Sequence, residues 1–503
     1  MSRKLKRAQN EEHKKDECDI LLIHPPYHRR LGSGIIPPPG LAYLSSYLRI
    51  KGFKPLILDC SIFFDNLKKQ TINKMTRWLR NKLASIKINL AIGIGPCTTS
   101  TVRAVYAIAK ACEGVYPNKP LILGGPLTLI PGMDWLFFEK IKASAVIKGD
   151  GEIPLMHVLD KLRKGESISD IPGVQTEENQ KVEAYFIENI DDLPFPAWDL
   201  FEMNCYRPSI RRDLFVYPFV PIIGSRGCLF KCSFCVSGQL IKYRRRSFGN
   251  IAKEAEHLRK NYNVRSLIFY DDSLFPYASK VNEEIRLLAE LINKVAPETL
   301  WQIEIRPDIF SNISGDTFKY IYSKGCRQLN IGIESFSQSK LRIFRKLYSI
   351  EEFEETCKLV NDVCPRLRLT GTFILGGPGE TLDSINETIE SSTRLGLLFA
   401  HYYPLYLYPG TPLYERVFGQ NTKEWFNNVI SDQNPWGEVV YEDENISATQ
   451  LMELVSFAYS YFYRRKEWRK RARYYLGNKY DEIVKIVKLW PKSRFRLDRR
   501  RQT

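Results

Sequence analysis

No run of about 18 or more uninterrupted apolar residues occurs anywhere in the 503-residue chain, so no membrane-spanning helix is expected. The charged opening, Met1–Lys15, has no apolar segment behind it, and no secretion signal is expected either. Cysteine is not concentrated: the eleven residues are scattered, most of them singly, unlike the dense framework of a small disulfide-stapled secreted protein. A reducing cytoplasm is the expected setting. Internal repeats and low-complexity segments are missing, which excludes a solenoid. Acidic residues are scarce at one end only: Arg464–Thr503 holds sixteen Lys/Arg against four Asp/Glu, so +12 of the net +17 lies there. Such an end can attract nucleic acid, an acidic protein or an anionic membrane surface, or can simply stay solvated.

What is present is a chain too long for one hydrophobic core and apolar enough, at 44%, to build two or three. Nearly continuous apolar runs at 19–23, 55–59, 89–95, 120–125 and 144–149 alternate with amphipathic segments, as strands buried on both faces do. One such segment carries Leu41, Leu44, Tyr47 and Leu48 and is closed by Gly52 at C′. The pattern predicts a doubly wound, parallel α/β sheet, Rossmann-like, with ligands at its C-terminal strand ends. The loops there are rich in Gly and Pro: 24–27, 37–40, 93–96 and 124–126, which permits close backbone approach to a large flat ligand. A hairpin is expected around Gly173–Tyr185, then an extended linker at LPFPAW (193–198). A second series of strands, at 219–225, 266–272, 300–306, 328–335, 368–377 and 400–410, predicts a partial (β/α)6 barrel. Ser349-Ile-Glu-Glu352 and Ser447-Ala-Thr-Gln450 read as capping boxes, the latter opening a C-terminal helical region. The expected division is a charged tail (1–18), an α/β domain (19–165), a linker with hairpin (166–216), the barrel (217–415) and a basic helical region (416–503).

The chemistry-bearing motif is GCLFKCSFC (227–235), directly after the first barrel strand. Its C-x3-C-x2-C spacing delivers Cys228, Cys232 and Cys235 to three corners of one 4Fe-4S cluster and leaves one iron without a protein ligand. By analogy with zinc, an open coordination site marks a catalytic rather than a structural centre. The alternatives are a zinc site with a distant fourth ligand, or an electron-transfer cluster completed by another cysteine. Structural zinc sites usually bring ligands in two pairs, and only single cysteines, Cys205, Cys326, Cys357 and Cys364, lie elsewhere in the C-terminal part.

The chain resembles the radical S-adenosylmethionine (SAM) superfamily, and within it the branch in which a cobalamin (B12)-binding domain precedes the barrel. Besides the cysteine motif, the resemblance rests on PGLAYLSSYLRIKGF (39–53), GGPLTLIPG (124–132), IKGDGEIPL (147–155), LPFPAWDLF (193–201), FYDDSLF (269–275), IGIESFSQ (331–338), FILGGPGET (373–381) and YPGTPLYE (408–415). It implies reductive cleavage of SAM to a 5′-deoxyadenosyl radical, with Phe234 near the adenine and with Asp272, Glu334, Gly376 and Gly377 lining the SAM pocket. It implies cobalamin against Pro25, Pro26, Gly40, Gly95, Gly124, Gly125, Gly149 and Glu152. It further implies methylation of an unactivated carbon on a small-molecule or lipid-like substrate, with an electron donor such as flavodoxin or ferredoxin.

The residues themselves allow plainer readings. Asp271 and Asp272 could cap the next helix, and Gly376-Gly377-Pro378 could serve a turn. A carboxylate at Glu334, following alternating apolar residues into a barrel mouth, is costly unless it binds something. Asp-x-His-x-x-Gly, which supplies a cobalt ligand in other cobalamin proteins, is absent; His24 and His28 lie at the first strand's end in a different context. Cys18, Cys60 and Cys97 are either buried free thiols or ligands of a second cluster. Two rival functions stand beside methylation: a radical cyclisation, rearrangement or oxidation, and a metal-stabilised nucleic-acid-binding protein using the cations and aromatics of 464–475. The spacing of Ile483, Ile486, Val487 and Trp490 suits a helix lying on a membrane surface or one packed on the core.

Overall fold

The computed structural model describes residues 16–27, 34–206, 218–431, 434, 438–476, 480, 481 and 484. In the first sheet β1 (Asp16–His24), β2 (Pro55–Asp59), β3 (Ile86–Ile94), β4 (Leu121–Gly124) and β5 (Ala145–Ile147) are parallel, in the order β2-β1-β3-β4-β5. A short edge strand, β6 (Val174–Gln175), pairs antiparallel with β5. The unbroken apolar run of β1 is explained by its two faces: Ile20 and Leu22 enter one core, Leu21 and Ile23 another. The chain leaves β1 toward β2 and returns on the other side at β3, which makes the β1/β3 boundary the crevice where such sheets bind ligands. The helix Pro39–Ile50 starts on a proline at its first turn and ends at Gly52, whose φ of +81° suits glycine at C′.

The connecting segment does not form a free hairpin. Val174 and Gln175 extend the first sheet instead, and Tyr185 exchanges backbone hydrogen bonds with Lys148 and Asp150. Pairing with an existing sheet edge satisfies more backbone than a two-stranded ribbon alone can. LPFPAW carries no helix or strand over 194–197, and it packs on the first domain: Ala197 N–H donates to Ala42 O at 3.1 Å and Trp198 is buried.

The second sheet comprises β7 (Phe219–Ile222), β10 (Ser266–Phe269), β11 (Leu300–Ile305), β12 (Cys326–Glu334), β13 (Arg368–Leu375) and β14 (Phe399–Pro404); β8 (Ser225–Arg226) and β9 (Arg244–Arg245) form a small antiparallel pair beside it. All six strands are parallel, in the order β14-β13-β12-β11-β10-β7, so they form an open, partial barrel. The helix Ala448–Tyr463 begins with the expected capping box at Ser447 and Gln450 and packs on β14. At Ser349 only half of the expected box forms: its hydroxyl accepts from Glu352 N–H, while no return bond from Glu352 is made.

Two side chains of 464–475, Trp468 and Arg465, serve this packing. Trp468 is buried and donates to Leu398 O at 2.8 Å, and Arg465 donates to Thr393 O at 2.9 Å. The segment Ile483, Ile486, Val487 and Trp490 and the rest of the basic end, with the exception of Val484, lie outside the described residues from 482 onward, as does His28. Among the described residues no helix is long and apolar enough to cross a membrane.

Buried charges join the two sheets' domains. Arg226 donates to Asp150 at 2.9 Å and to Glu152 at 2.6 Å, and Arg244 also pairs with Asp150. A second pair, Arg246 and Glu254, is completed by Tyr43 from the helix Pro39–Ile50. Each such ion is tolerable in the interior only because its partners replace water.

Candidate functional site

The cysteine loop leaves β8 through Gly227, whose φ is +75° and where a Cβ would meet Ile241 O at 2.6 Å and Lys242 O at 2.7 Å. Only glycine lets the outgoing chain pass the returning one so closely. Backbone ties then fix the loop on the barrel: Ser233 N–H donates to Phe344 O at 2.9 Å, Leu413 N–H to Ser233 O at 3.0 Å, and Gln239 Nε2 to Cys232 O at 3.1 Å. At the end of β11, Arg306 donates to Cys232 Sγ at 3.3 Å while its guanidinium lies 3.6 Å from the Phe230 ring centre. Burial pushes the Cys235 thiol up to about 11 and also raises Cys228; the charges of Cys232 and Asp272 add to both. All three cysteines therefore share one electrostatic neighbourhood. Among the described residues no three His, Cys, Asp or Glu side chains gather as tightly as one metal ion requires.

Phe234 packs on Phe344, ring centres 4.7 Å apart. The two aspartates after β10 divide. Asp271 is buried and accepts from both the backbone N–H and the hydroxyl of Ser225, so it ties β8 to β10 rather than capping a helix. Asp272 opens into the cavity described below, where surrounding protein raises its pKa against a hydrogen bond from Ser237. Burial raises Asp271 to about 7, with Asp272's charge adding and hydrogen bonds from Ser225 and Gly224 opposing. The folded protein thus holds a proton that the unfolded chain gives up near pH 4, and stability falls as pH rises between about 4 and 7. Asp271→Asn is expected to flatten that part of the thermal-midpoint profile; an unchanged slope would remove Asp271 as its source.

Glu334 ends β12 with φ of +67° and is buried against Lys346, Nζ to Oε1 2.6 Å. The cost of its burial is met by an ion pair within the chain. Gly376 and Gly377 have φ of +84° and +141°, and neither lines the cavity. A Cβ on Gly376 would meet Leu451 Cδ2 at 2.5 Å. Gly376→Ala is expected to cost about 1–3 kcal/mol through strain and overpacking, with Leu451→Ala in the same chain recovering part of it in urea unfolding.

A cavity of about 620 Å³ lies where the two domains face each other. That size is within the range of about 300–1,000 Å³ typical of cofactor and ligand sites. From the first sheet come Gly40, Gly95, Gly124, Gly125, Gly149 and Glu152; from the barrel side come Ser225, Arg226, Gly227, Tyr270 and Asp272. Pro25 and Pro26 are buried beside it but are not part of its lining. The backbone itself forms much of the first wall: a Cβ on Gly95 would meet Gly124 O at 2.9 Å, and one on Gly125 would meet Cys97 N at 2.5 Å. Cys18, Cys60 and Cys97 are fully buried in the core and burial raises each thiol, Cys18 and Cys97 to about 12, as packing residues behave.

Sequence reasoning missed Arg226, Asp150, Arg306, Lys346 and Asp59, whose carboxylate lies 2.8 Å from Nδ1 of the cavity-lining His24. Arg226 stands two residues before Cys228 and Asp150 inside IKGDGEIPL, so motif proximity was a usable signal for them. No local signal marks the other three. Inside the barrel, buried Gln302, Gln328, Asn330 and Thr370 each leave a polar side-chain atom without a protein partner among the described residues. Such atoms need water or a ligand.

The Radical SAM superfamily model matches residues 222–391, which run from the end of β7 into the helix Leu382–Ser392. These residues form a radical SAM domain. The chain is 28% identical over 459 residues to an uncharacterised methyltransferase of Pyrococcus horikoshii, covering 89% of this chain and 92% of that one. It is 26% identical over 387 residues to an anaerobic magnesium-protoporphyrin IX monomethyl ester cyclase of Rubrivivax gelatinosus, covering 73% and 64%. Its fold is that of the radical SAM methyltransferase TsrM of Kitasatospora setae, solved with cobalamin and a [4Fe-4S] cluster: TM-score 0.59, 18% identity, covering 79% of this chain and 74% of that one.

Proposed function

We propose that this radical SAM protein is a cobalamin-dependent methyltransferase acting on an unactivated carbon of a small-molecule or lipid-like substrate. The observation that carries the reading is the shared cavity: glycine-walled strand ends of the first sheet face Arg226, Gly227 and Asp272 beside the cysteine loop.

The residues fit the groups such an enzyme uses. Cys228, Cys232 and Cys235 offer three thiols in one loop, one of them already receiving a hydrogen bond from Arg306, as cluster ligands require. Asp272, a carboxylate open to the cavity in a low-polarity setting, would accept hydrogen bonds from SAM, and Phe234, packed on Phe344, would offer an apolar surface to its adenine. The wall of Gly95, Gly124 and Gly125, stripped of side chains, would admit a flat macrocycle such as cobalamin. When bound, these groups supply one-electron cleavage of SAM and a transferable methyl group.

The chain's own contribution is placement and exclusion. Ser233 and Gln239 hold the loop, Arg306 steadies charge at Cys232, and the Arg226–Asp150–Glu152 pairs keep the two cavity walls in register. Enclosure keeps water from reactive groups, and fixed geometry turns encounter into a unimolecular step. An electron donor such as flavodoxin or ferredoxin completes the cycle.

The similarity to a cyclase supports a second reading, radical chemistry without methyl transfer. Product analysis separates the two. Anaerobic turnover of the protein reconstituted with iron, sulfide and hydroxocobalamin is expected to yield S-adenosylhomocysteine together with 5′-deoxyadenosine. Deoxyadenosine alone would leave the cyclase-type reading in place of methyl transfer.

A further inference from the structure

We infer that the interior of the barrel holds the carboxylate end of the substrate, on a polar layer of Gln302, Gln328, Asn330, Arg368 and Thr370. This rests on the methyltransferase reading above for there being a substrate, and names its class.

The layer follows from strand alternation. Trp301, Ile303 and Ile305 of β11, Leu329, Ile331 and Ile333 of β12 and Leu369 of β13 belong to the apolar core shared with the helices around the sheet. Successive side chains of a strand point to opposite faces, so Gln302, Gln328, Asn330, Arg368 and Thr370 face the inside. Register sets them side by side: Gln302 pairs with Gln328 and Gln328 with Arg368 in one row, and Asn330 pairs with Thr370 in the next. Neighbours within a row are about 5 Å apart, and the two rows about 7 Å. One small patch of sheet therefore gathers five hydrogen-bonding side chains.

Little within the protein answers them. Gln302 is 1% exposed, and neither its amide nitrogen nor its oxygen has a partner among the described residues. Gln328 Nε2 donates to Asn330 Oδ1 at 2.7 Å, which leaves Gln328 Oε1 and Asn330 Nδ2 unmatched. The Thr370 hydroxyl is buried without a partner, and so are Nε and Nη1 of half-buried Arg368. Buried polar atoms are nearly always satisfied, so this many on one face point to a guest for which the layer is kept.

The open positions select that guest. Four are donors, on Gln302, Asn330 and Arg368; two are amide oxygens; the threonine hydroxyl serves either way. Donors in the majority beside a guanidinium call for an anion rich in acceptors. Other charges on this face are already matched: Lys346, whose Nζ lies beside Gly332, pairs with Glu334, and half-buried Glu304, in the row of Asn330, is itself engaged within the chain. Burial, with Arg327 alongside, lowers the Arg368 guanidinium to about 10; Tyr322 and Tyr475 oppose this, and among the described residues no carboxylate does. A carboxylate in reach relieves that cost and accepts from several donors at once. The two glutamine oxygens would take hydroxyl or N–H groups beside it. Gln302 lies four residues before Arg306, which touches Cys232, so the anchored end is about 13 Å along β11 from the cysteine loop. The reacting carbon therefore belongs several bonds away from the carboxylate.

Ligand-observed NMR of the anaerobic holoprotein with hexanoate, hexanamide and inorganic phosphate tests this. Hexanoate is expected to bind about tenfold more tightly than hexanamide, and Arg368→Met and Gln302→Leu each to weaken it about tenfold, the worth of a hydrogen bond to a charged group. Gln302→Leu should keep or raise the thermal midpoint of the substrate-free protein, because leucine removes two unmatched atoms, so its loss of binding is not a loss of fold. Absence of hexanoate binding, as for a layer filled by water alone, overturns the inference. So does equal binding of acid and amide, displacement of hexanoate by phosphate at like concentration, binding untouched by both substitutions, or a midpoint lowered by Gln302→Leu. Formation of S-adenosylhomocysteine is read separately: selective binding in a protein that forms none keeps the carboxylate site and removes the methyl-transfer reading, and the opposite pair of results does the reverse.

Discussion

Arg226→Leu is expected to destabilise the protein by about 3–5 kcal/mol, the usual cost of removing one partner from a buried ion pair. The guanidinium donates to Asp150 at 2.9 Å and to Glu152 at 2.6 Å, and all three side chains are shielded from water. Leucine leaves the Glu152 carboxylate without its cation, whereas Asp150 keeps Arg244. The loss is thus asymmetric between the two acids. Adding Glu152→Gln to Arg226→Leu is expected to return a good part of the stability, since the orphaned charge disappears with it. The same substitution is expected to weaken corrin retention, because Arg226 and Glu152 stand on opposite domains at the cavity wall. Urea titration of the single and double variants, with the corrin content of each, checks both statements. A loss under about 1 kcal/mol, in the range of an exposed pair, would mean that the interdomain contact is wetter than its geometry indicates.

That pair also illustrates what was legible in the sequence. The strands were, because continuous apolar runs such as Ile20–Ile23 admit little but burial on both faces. So was the cysteine loop, whose signal is local: three cysteines within eight residues. The glycine wall was legible too, for Gly95, Gly124 and Gly125 sit at strand ends, where the doubly wound topology already places a ligand. What could not be read were contacts between residues far apart in the chain. Asp59 lies 35 residues from His24 and 147 from Tyr206, and only the β1–β2 pairing and the return of the connecting segment unite them. Arg306 reaches Cys232 across 74 residues in the same way.

The misread segment, 173–185, fails for a related reason. Turn signals report local backbone preference, whereas pairing with β5 is a tertiary gain that overrides it. The segment 464–475 is a second instance. Alternating cations and aromatics describe a surface that could meet nucleic acid, yet the indole of Trp468 is committed to Leu398 O. Composition cannot tell an aromatic that stacks on a base from one that fills a core.

The largest functional effect is expected at the cysteine loop. Cys228→Ala, Cys232→Ala and Cys235→Ala should each lower bound iron from about four per chain toward zero and abolish SAM cleavage, because a cluster held at three corners has no ligand to spare. Arg306→Gln should act more mildly: it removes the cation beside Cys232 without removing a ligand, a change of surrounding support that elsewhere costs about 10–100-fold in metal affinity. Cys326→Ala and Cys357→Ala form the contrast. Both thiols are wholly buried among apolar side chains, and burial raises their pKa far above the ordinary thiol range, so they are packing groups. They should keep full iron and full cleavage. Iron and zinc content and the rate of deoxyadenosine release, measured across the six variants under strict anaerobiosis, separate the two sets. Zinc in the wild-type loop, or cleavage persisting when all three loop cysteines are alanine, would remove the chemical basis on which the cavity between the domains has been interpreted.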